Sequence, residues 1–134
     1  MDRSTVLRRG GSGREPGRKW TIISLASVRR EAEKCLTESE RCHLRDIISE
    51  LAYEVTPSHA KTCSVDQVED FYELREKGGP LGSKNVRVFF GLDDATKSIV
   101  LLGVTLKQND GGTLNATKIL MRNRWRKFVL QQSA

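Results

Sequence analysis

The chain has 134 residues, of which 37% are hydrophobic and 6% aromatic, so it fits one domain with room for a modest core. No apolar run approaches the roughly 20 residues of a membrane-spanning helix, which excludes a protein anchored in that way. The net charge of +6 favours an anionic partner such as nucleic acid, and a generic basic surface is the alternative.

The N-terminal segment is rich in glycine, arginine and serine. We expect residues 1–18 to form a flexible basic tail before a single domain at residues 19–132. The basic residues of this segment precede no apolar stretch, so we expect no signal peptide and a cytoplasmic protein. The apolar run at residues 19–26 then predicts the first strand of the domain.

Two helices are predicted to follow this strand. Ser27 is a suitable cap for the first helix, and Thr37 with Glu40 has the spacing of a capping box at the start of the second. The second helix has an apolar stripe at helical spacing, which comprises Leu44, Ile47, Ile48, Leu51, Ala52 and Val55. Pro57 is expected to end it, and residues 56–67 are predicted to be a polar connection.

Three strands are predicted in the second half, at residues 71–75, 86–90 and 100–107. Side chains alternate along a strand, so Arg87 should face away from Val86, Val88 and Phe90. In the third strand the alternation places Val100, Leu102, Val104 and Leu106 on one face, and Leu101, Gly103, Thr105 and Lys107 on the other. If the strands are neighbours, one polar surface contains Glu73, Arg75, Arg87 and Lys107.

A C-terminal helix begins near Thr113, with an apolar stripe that comprises Leu114, Thr117, Met121, Trp125 and Phe128. No aspartate or glutamate occurs from Gly111 to the end of the chain. The basic residues of this segment are predicted to bind nucleic acid, and they are Lys118, Arg122, Arg124, Arg126 and Lys127. The element order is β-α-α-β-β-β-α, which predicts an α+β fold: an antiparallel-rich sheet packed by a helical hairpin and a C-terminal helix.

Common catalytic and cofactor motifs are absent. There is no phosphate-binding loop, no dinucleotide fingerprint and no HExxH pair, so we expect no cofactor. Cys42 with His43, and His59 with Cys63, match no standard zinc spacing, so we expect no metal and reduced thiols.

The charged sheet face offers metal-free chemistry on RNA. Lysine and arginine side chains can position a phosphodiester, and the RNA 2′-hydroxyl can serve as the nucleophile. Such a reaction also needs a proton acceptor, for which Lys107 and Glu73 are the candidates. The alternative is that Glu73, Arg75 and Arg87 form a cross-strand salt network without a catalytic role.

The chain resembles the RelE/ParE toxin superfamily, most closely its HigB-like, phage-derived branch. The resemblance runs from about Lys19 to Leu130 and depends on the element order and on three strand segments. Residues 68–75 (VEDFYELR) resemble the family's "yELR" strand, residues 85–90 (NVRVFF) its "yRvff" strand, and residues 99–107 (IVLLGVTLK) its "ivLLhgf-K" strand.

This resemblance implies a ribosome-dependent messenger RNA endonuclease that a cognate antitoxin neutralises. It implies that Arg87 holds the scissile phosphate, and that Lys107 and Arg75 are the basic residues of the neighbouring strands. The alternative is a member of the same fold that binds a protein target such as gyrase, or nucleic acid, and cleaves nothing. An exposed apolar groove beside the helical hairpin at residues 27–55 is where we expect an antitoxin segment to bind.

Overall fold

The structure is a computed structural model that describes residues 6–8, 16–107 and 112–133. These residues form an α+β fold with a mixed sheet and three α-helices. In chain order the elements are β1 (Val6–Arg8), β2 (Thr21–Leu25), α1 (Ala26–Cys35), α2 (Glu38–Leu51), β3 (Ser64–Gln67), β4 (Tyr72–Glu76), β5 (Val86–Asp93), β6 (Ser98–Leu106) and α3 (Asn115–Ser133). None of the helices in the described ranges has the length and apolar character needed to cross a bilayer.

The six described strands lie in the order β1-β2-β6-β5-β4-β3. The pair β2–β6 is parallel and the other neighbours are antiparallel, so the predicted α+β class with a largely antiparallel sheet is confirmed. A parallel pair needs a long crossover, and α1 and α2 lie within the chain segment that connects β2 to the rest of the sheet.

The two edge strands are absent from the sequence-based prediction. β3 lies within residues 56–67, which were predicted to be a polar connection, and it contributes one half-buried apolar side chain, that of Val65. β1 lies within residues 1–18, so Val6–Arg8 departs from the predicted flexible tail, whereas residues 1–5 and 9–15 lie outside the described residues. Both strands pair with the open edge of a neighbour, which provides backbone hydrogen bonds whatever the local side chains are.

The helix boundaries agree only in part with the prediction. The capping box is confirmed, because the Thr37 backbone N–H donates to Glu40 Oε1 (2.8 Å) and the Glu40 N–H donates to Thr37 Oγ1 (3.2 Å). Ser27 is not a cap, since β2 leads directly into α1 and Ser27 lies inside the helix. Helix α2 ends at Leu51, well before Pro57. Val55 therefore lies outside the helix and is exposed, so its predicted place in the apolar stripe is wrong.

Both faces of the central sheet are covered by helices. Val88 and Val104 line a groove together with residues of α1 and α2, so they lie on the face that these helices cover. On the other face α3 approaches so closely that a Cβ on Gly91 would overlap the Trp125 indole, and one on Gly103 would overlap Met121. The predicted inward stripe of α3 is confirmed for Met121, Trp125 and Phe128, which are buried, but is wrong for Leu114, which is 63% exposed.

A β-bulge in β6 changes which side chains face each helix layer. Phe89 pairs with Gly103 and Phe90 pairs with Leu101, so Leu102 is an extra residue in the ladder. Leu101 and Val104 therefore line the same groove on the α1–α2 side, and the predicted alternation is wrong across this point. For β5 the prediction is confirmed, because Val88 and the adjacent Arg87 face opposite sides.

We expect Gly91→Ala to lower the free energy of unfolding by about 1–3 kcal/mol, because the added methyl group would displace the Trp125 ring from a filled interface. Gly112→Ala is the matched control, since no atom lies near its Cβ position. Urea denaturation of both variants measures the difference. Equal stability of Gly91→Ala and Gly112→Ala would show that α3 does not pack against β5 in this way.

Candidate functional site

The sheet face beneath α3 brings together three of the four predicted catalytic residues. Arg75 pairs across the ladder with Arg87, and Glu73 lies one step along the same face of β4. The Arg87 guanidinium Nη1 lies 2.9 Å from Glu73 Oε2, and each of these two side chains is 1% exposed. We name Glu73, Arg75 and Arg87 the charge cluster.

Glu73 is the acceptor at the centre of the charge cluster. Its Oε1 accepts a hydrogen bond from Arg75 Nε (3.2 Å), and its Oε2 accepts from Arg87 Nη1 (2.9 Å) and from Thr113 Oγ1 (3.0 Å). Arg75 Nε also lies 2.9 Å from Asp66 Oδ2 on β3. The arrangement is the cross-strand salt network that the sequence left open as the alternative to a catalytic group.

Arg87 is closed off from solvent in this arrangement. Its Nε approaches Asn85 Oδ1 at 3.4 Å, so both Asn85 and Glu73 accept hydrogen bonds from the guanidinium. A buried charge is tolerated when it is paired and hydrogen-bonded, and both conditions are met. A guanidinium that is 1% exposed and bound to a carboxylate offers no open face to a phosphate.

The fourth predicted catalytic residue, Lys107, follows directly after β6. Its backbone N–H donates to the Asn85 carbonyl at 2.8 Å, which places its backbone beside the start of β5. Lys107 is half-buried. The backbones of the four predicted residues therefore lie close together, but two of their side chains form a buried ion pair and not an open polar surface.

Two of the five basic residues predicted to bind nucleic acid are engaged within the protein. Arg122 forms a two-pronged contact with Glu69, with its Nε 2.7 Å from Oε1 and its Nη2 2.5 Å from Oε2. This hydrogen bonding, with the nearby charges of Lys118 and Arg126, holds the pKa of Glu69 below its ordinary value of 4.5. The pair ties α3 to the residues that precede β4.

Arg124 and Glu31 form hydrogen bonds with the part of the β6 edge that β2 does not cover. Strand β2 pairs only with Ser98–Leu101, so the Leu102 carbonyl and the Val104 N–H have no strand partner on that side. Arg124 Nη1 donates to the Leu102 carbonyl (2.9 Å), and the Val104 N–H donates to Glu31 Oε1 (3.0 Å). Arg124 Nη2 and Glu31 Oε2 lie 2.8 Å apart, so an ion pair continues the ladder where the strand ends.

The other three basic residues of α3 form no ion pair within residues 16–107 and 112–133. Lys118 is half-buried, while Arg126 and Lys127 are exposed. Apolar side chains are exposed on the same helix, with Ile119 49%, Leu120 44% and Leu130 70% exposed. These apolar residues were not among the predicted functional residues, although the sequence places apolar residues around the whole circumference of the helix, which was the available signal.

An open groove of about 480 Å³ lies between the sheet and the helices α1 and α2. The lining is largely apolar, and it includes Ile22, Val28, Leu36, Leu44, Ile48, Val88 and Val104. Arg29, Arg41 and Arg45 also contribute to it. Such a groove was expected beside the hairpin at residues 27–55.

The cysteine and histidine residues form no cluster with the charge network. Cys35, Cys42 and Cys63 are free, and burial raises the pKa of the Cys63 thiol to about 11, which keeps it protonated at neutral pH. No group of three or more His, Cys, Asp or Glu side chains is placed to hold a metal ion in the described part of the chain. Neither known family profiles nor curated proteins match this chain.

We expect Arg87→Ala to lower the free energy of unfolding by about 3–5 kcal/mol, because it leaves the buried Glu73 carboxylate without its main partner. The double variant Glu73→Gln/Arg87→Met should be far closer to wild type, since it removes both charges and keeps similar volumes. Urea denaturation compares them, with the exposed Arg45→Ala as the reference. Wild-type stability of Arg87→Ala would contradict the buried pair.

The Glu69–Arg122 pair predicts a pH dependence. Because the pKa of Glu69 is lowered in the folded protein, the stabilisation from this pair is present above pH 4.5 and is lost as the pH falls through the lowered pKa. In Arg122→Gln the titration midpoint of Glu69 should move upward, which NMR of the side-chain carboxyl carbon can follow. An unchanged midpoint would rule out the contact as the cause.

Proposed function

We propose that this chain is a RelE/ParE-like protein that acts by binding a partner macromolecule, and that its charge cluster stabilises the sheet and does not cleave RNA. The observation that carries the proposal is the pairing of Arg87 with Glu73, in which both side chains are 1% exposed. The residue that would have to hold the scissile phosphate is thus already bound to a carboxylate.

The element order supports the likeness to this superfamily. With the edge strands β1 and β3 set aside, the remaining elements follow the order strand, helix, helix, three strands, helix. The three segments that carry the resemblance include β4, β5 and β6, which are adjacent in the sheet. Fold alone does not determine activity, so the chemistry of the site decides between cleavage and binding.

The site chemistry favours binding for an electrostatic reason. Stabilising a phosphodiester transition state requires cations aimed at the position where negative charge develops. Here the negative charge already facing Arg87 and Arg75 is that of Glu73, which neutralises part of their field. A substrate phosphate would have to displace this carboxylate and the Thr113 hydroxyl that also contacts it.

Messenger RNA cleavage on the ribosome is the second candidate function. One observation favours it: Glu73, Arg75 and Arg87 share a sheet face beside Lys107, which is the grouping that metal-free cleavage would need. In this candidate Thr113 and Arg87 leave Glu73, and the RNA 2′-hydroxyl gives its proton to Glu73 or Lys107 as it attacks the adjacent phosphate. The bond to the 5′-oxygen of the next nucleotide breaks, that oxygen takes up a proton, and a 2′,3′-cyclic phosphate remains.

The apolar groove between the sheet and the helices α1 and α2 supports a partner of the antitoxin kind. Apolar side chains line it, and the exposed Arg45 offers a cation to an acidic segment. Arg29 pairs with Glu33, and Arg41 donates to the Leu36 carbonyl. We propose that a helical segment of a cognate antitoxin binds there with its apolar side inward. This partner belongs to both candidate functions.

The double variant Glu73→Gln/Arg87→Met separates the two functions, because it removes the Arg87 cation without leaving a buried charge. Purified wild type is incubated with ribosomes translating a defined message, and primer extension then maps cuts. We expect an intact message and, on induced expression in cells, the same growth effect for wild type and double variant. Arg30→Met is the control for loss of an exposed arginine outside the groove.

Cuts within the translated frame that wild type makes and the double variant does not would overturn the binding proposal. They would establish the endonuclease and place Arg87 in its active site. A growth effect without cuts, retained in the double variant, would agree with action on a bound macromolecule.

A further inference from the structure

The outer side of helix α3 carries exposed apolar side chains among polar and basic ones. The inner side is accounted for by Met121, Trp125 and Phe128, which are buried against the sheet. On the opposite side Ile119 and Leu130 lie eleven residues apart, which is three helical turns, and they are 49% and 70% exposed. Apolar side chains therefore occur on two opposite sides of the helix, and only those of the inner side are covered within the described part of the chain.

These side chains lie along one side of the helix. Ile119, Asn123 and Leu130 follow each other at spacings of four and seven residues along the outer side, and Leu120 lies beside them at 44% exposure. Single exposed apolar residues need no explanation, but several on one helix face indicate an interaction surface. We name Ile119, Leu120, Asn123, Arg126, Lys127 and Leu130 the outer face of α3.

The charge on this face has one sign. Arg126 and Lys127 flank Leu130 on its two sides, and α3 carries no aspartate or glutamate. The carboxylates that form ion pairs with α3 are Glu69 and Glu31, and their partners are Arg122 and Arg124. Arg126 is near enough to Glu69 to help lower its pKa but forms no ion pair with it. The exposed cations thus face outward without a paired carboxylate among the described residues.

Charge and shape together favour one kind of occupant. A second copy of this chain would set cations against cations. Binding of single-stranded RNA combines a basic groove with stacking of bases on aromatic side chains, and both aromatic residues of α3 are buried. A membrane surface would call for a broad apolar side with aromatic anchors at its border, and the outer face has Asn123 at its centre.

We propose that the outer face of α3 docks an acidic amphipathic helix of a partner protein. Ile119 and Leu130 are the apolar anchors, and Arg126 with Lys127 pairs with aspartate or glutamate side chains beside the partner's apolar stripe. The anchors are about 16 Å apart along the helix, so the partner segment needs at least three to four turns. This inference rests on the proposed binding function, and it names the surface and the chemistry of the partner.

A synthetic helical peptide of about four turns, with a leucine stripe flanked by glutamate, is the probe. Its fluorescein-labelled form should bind the full chain, and a matched peptide with lysine in place of glutamate should not. Ile119→Ser/Leu130→Ser and, separately, Arg126→Glu/Lys127→Glu should each weaken binding about tenfold or more. All four positions are exposed, so the variants should fold, which circular dichroism checks.

Two substitutions elsewhere serve as matched controls. Val55→Ser changes an apolar side chain that is 74% exposed, and Arg30→Glu reverses an exposed charge on α1 outside the groove. Both should leave peptide affinity unchanged. Arg45→Glu tests the α1–α2 groove, which Arg45 lines. Loss of binding in Arg45→Glu but not in the α3 variants would assign the peptide to that groove and overturn the proposal.

Other outcomes also overturn it. Equal affinity for the lysine peptide would show that charge plays no part. Stronger binding of a single-stranded RNA or of anionic vesicles, lost in the same α3 variants, would assign the surface to those ligands. Concentration-dependent dimers that vanish in Ile119→Ser/Leu130→Ser would assign it to a second copy.

Different results would refute the outer face of α3 as a docking surface and the proposed binding function. Message cleavage by wild type that Glu73→Gln/Arg87→Met abolishes would end the binding proposal, whatever the peptide does. Absence of peptide binding in a protein that cleaves no message would refute only the outer face as the docking surface.

Discussion

Burial of strand β5 on both faces is the constraint on which the rest of the structure depends. Its first six residues are buried, because α1 and α2 cover one face of the sheet and α3 covers the other. A strand in that position is ordinarily apolar throughout. Arg87 is the exception, and a buried guanidinium is tolerated only with a carboxylate and further acceptors around it. The positions of Glu73 on β4 and Asn85 before β5 satisfy that requirement.

The same burial changes what the charged residues do. On an open sheet face, Arg75 and Arg87 would present two cations to a phosphate. Under α3 their charges are directed to Glu73, and Thr113 adds a hydroxyl donor to the same carboxylate. A buried ion pair adds little net stability compared with an apolar core, yet it penalises every arrangement that separates the two partners. The charge cluster thereby disfavours other registers of β4 against β5. It also holds Thr113, two residues before α3, beside Glu73.

Helix α3 has basic residues that form ion pairs within the protein and others that stay exposed. Arg122 and Arg124 point toward carboxylates of other elements, and Arg124 also hydrogen-bonds the free edge of β6 beyond its pairing with β2. Arg126 and Lys127 stay exposed among Ile119, Leu120 and Leu130. Two of the five cations in this carboxylate-free segment are therefore held in ion pairs. The carboxylates that engage two of them come from distant parts of the chain, which a count of local charge does not include.

Local patterns in the sequence determined the α+β class, the capping box of Thr37 and Glu40, the inner stripe of α3 and the opposite facing of Val88 and Arg87. These features follow from hydrogen bonds and periodicities within one element, so neighbouring residues are sufficient to specify them. Only the tertiary structure decided the edge strands, the bulge at Leu102 and the burial of Arg87. The pairing of an edge strand depends on which strand lies beside it in the fold. A bulge reverses the alternation of side chains that a regular strand predicts, and the burial of Arg87 depends on the helix packed on that face of the sheet. Beneath α3 Arg87 is one half of an ion pair, whereas on an exposed sheet face its guanidinium would be open to a phosphate.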